Sequence, residues 1–118
     1  MMRKIYLSEP DTRASTPFSS PEEAWFWYCL CAQLGFERAR GNESKINRPC
    51  ESSDIIRAVK NLLKTGILRD EHIQILTKYG GEQTPPHENF GATRRMCLLW
   101  REAMKFLGIV WRKKGIIA

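Results

Sequence analysis

Apolar positions recur at helical spacing through most of this chain and alternate as a strand would nowhere. The first such stretch is "SSPEEAWFWYCLCAQLGF". Ser20 suits an N-cap, Pro21 the first helical position, and Glu23 completes an S-x-x-E capping box. A helix is predicted through Trp25, Phe26, Tyr28, Cys29, Ala32 and Leu34 to about Phe36 or beyond. Its apolar residues occupy nearly the whole circumference, which marks a central core helix. The aromatic crowding is read as burial rather than as a stacking surface for bases.

A polar loop, "RARGNESKINRPCE", separates this helix from a second. Ser52 or Ser53 is the expected cap, with Asp54 in the first turn, and Ile55, Ile56, Val59, Leu62 and Leu63 repeat at helical spacing. Gly66 closes the helix in the C′ role, with Ile67 placed for the accompanying apolar contact. "RDEHIQILTKYGG" predicts a short third helix from about Asp70 to Tyr79 that buries Ile73, Leu76 and Tyr79. Gly80 and Gly81 are expected to stop it. Pro85-Pro86 keeps the next segment irregular, and a fourth helix begins near Asn89 to Thr93 and runs to about Lys114. Residues 1–19, with Pro10, Pro17 and little periodicity, read as an extended or mobile arm. The expected fold is therefore all-α: a compact, helix-turn-helix-like four-helix domain over residues 20–118 with a mobile N-terminal arm over residues 1–19.

Charge sharpens this picture at one place. The formal net charge is +6, and residues 94–114 alone hold seven Lys or Arg against the single acid Glu102. Elsewhere the two signs cancel, so the surplus is confined to the last helix and forms a concentrated electrostatic footprint for a polyanion. At 100° per residue, Arg94, Arg101, Lys105 and Arg112 fall within about 20° of one another, a row about 27 Å long. Met96, Leu99, Trp100, Ala103, Phe106, Leu107, Val110 and Trp111 fall on the opposite side, between about 120° and 260° from Arg94, while Cys97 and Leu98 intrude on the charged side.

An ordinary solvated helix face mixes signs through i,i+4 pairs. Here Arg101 and Lys105 stand at a repulsive i,i+4 spacing, although Arg112 and Lys113 gain from the helix dipole. A phosphate backbone suits such a row. The expected partner is nucleic acid, with duplex DNA first, and the expected contacts are Arg94, Arg95, Arg101, Lys105, Arg112 and Lys113. The alternative is a protein-interaction adaptor that docks the same helix on an acidic partner. A homodimer is a further expectation, since many helix-turn-helix proteins bind paired half-sites.

Enzyme chemistry finds little support. His72 beside Glu71, His87 beside Glu88, and Cys50 have no partner identifiable in sequence, and neighbouring helical side chains diverge by about 100°. His72 is expected at the surface or as a cap. Cys29, Cys31, Cys50 and Cys97 have no metal-ligand spacing, so no cofactor or metal is expected and the thiols read as small apolar residues. The longest uncharged run is too short for a membrane span, and no signal-peptide core of about 7 apolar residues follows the basic start. A cytoplasmic setting without a membrane partner is expected.

Two resemblances attach to quoted stretches. "GILRDEHIQILTKYG" followed by "LWREAMKFL" resembles the C-terminal helix-turn-helix of bacterial sigma factors and related phage regulators, over about 45 residues and with an insertion in the turn. "RPCESSDIIRAVKNLLKTGILRDEHIQILTKYG", "PP" and "LWREAM" with "KGI" are similar to a family of small alphaproteobacterial helical proteins of uncharacterised activity, over roughly residues 21–117. The second resemblance implies a bacterial cytosolic setting and transfers no functional residue.

Overall fold

Helices start where polar groups meet their first free N–H groups, and the computed structural model, which describes residues 16–34 and 50–118, shows this at each start. Helix α1 spans Pro21–Leu34, α2 Ser52–Lys64, α3 Asp70–Glu82 and α4 Arg94–Lys113, with a 3₁₀ turn at Glu88–Phe90 before α4. No strand occurs among the described residues, and the fold is all-α. Most of the expected polar loop after α1 (residues 38–49), the expected end of α1 near Phe36 and most of the expected N-terminal arm (residues 1–15) lie outside the described residues.

At α1, Ser20 Oγ accepts from the Glu23 N–H at 3.1 Å, as the capping signature predicts. The Glu23 carboxylate reaches back one residue further than expected, accepting from Ser19 N–H at 2.6 Å and Ser19 Oγ at 3.0 Å. At α2 the cap is Glu51 rather than Ser52 or Ser53. Its N–H donates to Asp54 Oδ2 at 2.9 Å, and Ser52 enters the first turn as a buried residue. Gly66 ends α2 with φ +85°, and its N–H donates to Leu63 O. That left-handed turn sends Leu68 into the core and leaves Ile67 exposed, so the apolar contact comes one residue later than expected.

The third helix departs most from expectation. Gly80 and Gly81 do not stop α3, which continues to Glu82 and ends at Gln83 with φ +59°. The left-handed Gln83 is held by its own side chain, whose Nε2 donates to Phe26 O and Gly80 O at 2.9 Å each. Gly80 serves helix packing instead: a Cβ there would sit inside contact with Cys29 Sγ and 2.6 Å from Trp25 Nε1. The same indole donates to Leu76 O at 2.9 Å. A glycine thus lets α1 and α3 approach closely enough for a buried interhelical hydrogen bond.

Helix α1 packs against α2, α3 and α4, as expected of a central helix, and the most extensive contact in the molecule joins α3 to α4. The core gathers Ala24, Trp25 and Cys29 from α1, Ile55, Val59 and Leu62 from α2, Ile75, Leu76 and Tyr79 from α3, and Leu99, Trp100, Leu107 and Trp111 from α4. Trp100 stacks on Phe26 at 5.7 Å and meets Tyr79 edge-on at 6.3 Å. On α3, Ile75 is buried more deeply than the expected Ile73.

The chain before α1 joins this core too. Phe18, placed in the N-terminal arm by sequence, is fully buried. Its N–H donates to Ile116 O at 2.9 Å, and its carbonyl accepts from Ala118 N–H at 2.8 Å, forming a parallel bridge with Ile117. The packed unit therefore begins before residue 20.

Two outcomes follow. Gly80→Ala forces a methyl group into Cys29 and Trp25 and is expected to destabilise the fold by about 1–3 kcal/mol, read as a lowered denaturation midpoint with an unchanged slope. Burial also pushes the Cys29 thiol up to about 11. Its stabilising effect is therefore complete below the ordinary thiol range and is lost as pH rises through about 11. In thiol labelling at pH 8, half-buried Cys97 should react in the native state and Cys29 only after unfolding.

Candidate nucleic-acid interface

The orientation of α4 follows from its packing. Leu99, Trp100, Ala103, Met104, Leu107, Gly108 and Trp111 are buried, and Met96, Phe106 and Val110 are half-buried. The buried wedge is wider on one side than the helical wheel predicts, taking in Met104 and Gly108. At Gly108 the absence of a side chain brings Pro21 of α1 against the helix, 3.5 Å from where a Cβ would lie. Thr93 caps the helix, its Oγ1 accepting from Met96 N–H at 3.1 Å.

With that face committed, Arg94, Arg101, Lys105 and Arg112 share the outward face, and all four are exposed. Among the described residues no carboxylate lies within ion-pair reach of Arg101 or Lys105. Lys105 Nζ stands 5.9 Å from the centre of the Phe106 ring. Arg94 is 93% exposed and makes a long, solvent-exposed ion pair with Glu88, whose Oε2 stands 3.9 Å from its Nε. Arg112 Nε donates to Ala118 O at 3.1 Å, which ties the end of the row to the segment that follows α4.

Arg95 and Lys113 lie about 100° round the helix from this row. Lys113 is exposed, and no acid approaches it among the described residues. Arg95 is engaged: its Nη2 donates to Glu71 Oε2 at 2.6 Å, while Arg69 Nη2 stands 3.6 Å from the other carboxylate oxygen. The hydrogen bond and charge of Arg95 hold the Glu71 carboxyl below its usual range. So the structure brings four of the six expected residues into one line, leaves Lys113 at the flank and gives Arg95 an acid of its own.

The lone acid of the segment is also occupied. His72 lies not at the surface but in the core, 2% exposed. Its Nδ1 accepts from Arg69 N–H at 3.0 Å, which caps the start of α3 and assigns the ring proton to Nε2. Nε2 then donates to Glu102 Oε1 at 2.9 Å. One neutral imidazole thereby joins the N-terminus of α3 to the middle of α4 and holds the Glu102 carboxylate off the cationic line.

Three exposed apolar side chains lie on or just before α4, of which the helical wheel named only Leu98. Leu98 and Ile109 are 47% and 56% exposed on the outward side of α4, and Phe90 in the 3₁₀ turn is 89% exposed. For Leu98 a signal existed, since it intrudes on the charged side of the wheel. For Phe90 none did, because an irregular turn has no period from which burial can be read.

Among the described residues, no helix is long and apolar enough to cross a membrane. Comparisons with protein-family models, curated proteins and solved structures find no match.

The imidazole link is directly testable. Glu102→Ala leaves the buried Nε2–H unpaired and should cost about 1–3 kcal/mol in urea unfolding. Glu102→Gln retains an acceptor oxygen and should cost clearly less, which separates the hydrogen bond from the charge.

Proposed function

We propose that this protein binds nucleic acid, duplex DNA in the first instance, through the outward face of α4. Arg94, Arg101, Lys105 and Arg112 supply the phosphate contacts, with Lys113 at the flank and Arg95 available when Glu71 releases it. The observation that carries this reading is the pair Arg101 and Lys105. They stand one turn apart, exposed and like-charged, with no carboxylate in reach among the described residues. Such spacing is unfavourable on a bare helix and becomes favourable once an anion spans both groups. A straight row about 27 Å long meets several successive phosphates of a duplex.

In this reading α3 supports α4 from behind, as the first helix of a helix-turn-helix supports its recognition helix. The connection from Gln83 to Thr93 is longer than the usual turn, so the arrangement is helix-turn-helix-like rather than the compact form. A regulatory role in transcription is the corresponding biological proposal, within a cytoplasmic and bacterial setting.

A second reading has one observation in its favour. Leu98 and Ile109 interleave with the cations, and mixed apolar and cationic surface also suits an acidic protein partner. Pull-down after nuclease treatment separates the two, since a stoichiometric partner that survives nuclease supports the adaptor.

Fluorescence anisotropy with a labelled duplex tests the first reading. Four engaged cations should give a log–log salt slope of roughly −3 to −4, at about −0.9 per phosphate. Arg101→Glu with Lys105→Glu should lower affinity at least tenfold while leaving the helical circular dichroism unchanged. Unchanged affinity would remove the row from consideration. Glu71→Gln releases Arg95 and should steepen the slope by up to about 0.9, whereas a passive surface pair would leave it unaltered.

A further inference from the structure

The most exposed large apolar side chain of the described fold is Phe90, and it is held in a defined turn. His87 caps the Glu88–Phe90 turn, with its Nδ1 accepting from Asn89 N–H at 3.1 Å. The carbonyl of His87 accepts from Phe90 N–H at 2.9 Å and from Ala92 N–H at 3.3 Å. Gly91 reverses the chain with φ +94°, and Ala92 is buried. The turn is thus anchored on both sides of Phe90, while the exposed ring lies 5.5 Å from the His87 imidazole at a 57° tilt.

The turn that carries this ring leads directly into α4, where the cation row starts. Arg94 is four residues on, and its guanidinium reaches back to within 3.9 Å of Glu88, a residue of the same turn. An aromatic face beside fixed cations is the combination that takes a nucleobase and its phosphates together: the ring stacks on the base while the cations hold the backbone. A fully paired duplex does not present a base face to such a ring, because its bases are stacked on one another. Unpaired nucleotides do.

We infer that Phe90 is a stacking platform for an unpaired base, and that the preferred ligand is a nucleic-acid duplex interrupted by unpaired nucleotides. The duplex part lies along Arg94, Arg101, Lys105 and Arg112, and the unpaired base stacks on Phe90 at the N-terminal end of the row. The inference rests on the nucleic-acid reading of α4 and adds the structural class of its target. Glu88 opposes it locally, since its carboxylate faces Arg94 and must be displaced or tolerated by the incoming phosphate.

The test compares three labelled DNA probes on the full chain by anisotropy: a perfect duplex, the same duplex with a three-nucleotide bulge, and the bulged strand alone. Wild type should bind the bulged duplex most tightly. Phe90→Ala should weaken binding to the bulged duplex roughly 5- to 100-fold, the range for losing one stacked base, and change binding to the perfect duplex less than twofold. Phe90→Trp should restore the preference. Phe90 is exposed, so its truncation leaves the core intact, and an unchanged denaturation midpoint checks this.

Equal effects of Phe90→Ala on bulged and perfect duplex, or no effect on either, overturn the platform while leaving the α4 reading in place. Tightest binding to the single strand alone also overturns the interrupted-duplex preference. If wild type binds none of the probes at low salt, or if Arg101→Glu with Lys105→Glu alters none of the affinities, the underlying nucleic-acid reading fails and the platform fails with it.

Discussion

The burial of one side of α4 is the constraint from which the rest of the molecule follows. Trp100, Leu107 and Trp111 are large side chains, each worth about 1.5–3 kcal/mol when removed from water, and together they fix the rotation of the helix about its axis. Turning α4 by half a turn would expose these residues and bury Arg101 and Lys105 without a counter-charge. Both changes are costly, so the orientation is held from two directions. The cationic row is outward because the core leaves it no other place.

Acids then shape what that row presents. Counted along the chain, the last helix carries the whole charge surplus, but the field outside the molecule is not a sum over one segment. Glu71, which belongs to α3, takes Arg95 out of the free set. Glu102, which belongs to α4, is turned toward His72. Of the acids outside the segment, Glu71 removes a cation and Glu88 stands 3.9 Å from Arg94, while the acid within it is kept to the side. The result is a narrower and straighter line of charge than composition suggests.

What could be read from the residues alone was what depends on neighbours in sequence. The Ser20 cap, the Gly66 terminus and the division of α4 into two faces are each decided within a few turns, and each is present in the fold. What could not be read depends on residues far apart in the chain. Gly80 looks like a stop until Trp25 and Cys29 are brought against it. His72 reads as a surface or capping residue; the cap on Arg69 N–H is present, whereas its burial and its bond to Glu102 depend on α4. Gly108 joins the core with Pro21 of α1 packed against it, and Met104 is buried one turn before it, which no wheel drawn on α4 alone contains. The site was legible in the same proportion: its line of cations follows from 100° per residue, whereas the loss of Arg95 and the display of Phe90 required tertiary structure.

The bridge between Phe18 and Ile117 bears on how the chain acquires its shape. Its two halves stand 99 positions apart in sequence (117 − 18), so it closes the largest loop in the described fold, and closing a large loop is entropically slow. The helices can gather around α1 first, whereas Phe18 has no seat until the segment after α4 is in position. During synthesis this ring cannot take its native seat until residues 116–118 have emerged, which makes the docking of the segment before α1 a late event in maturation.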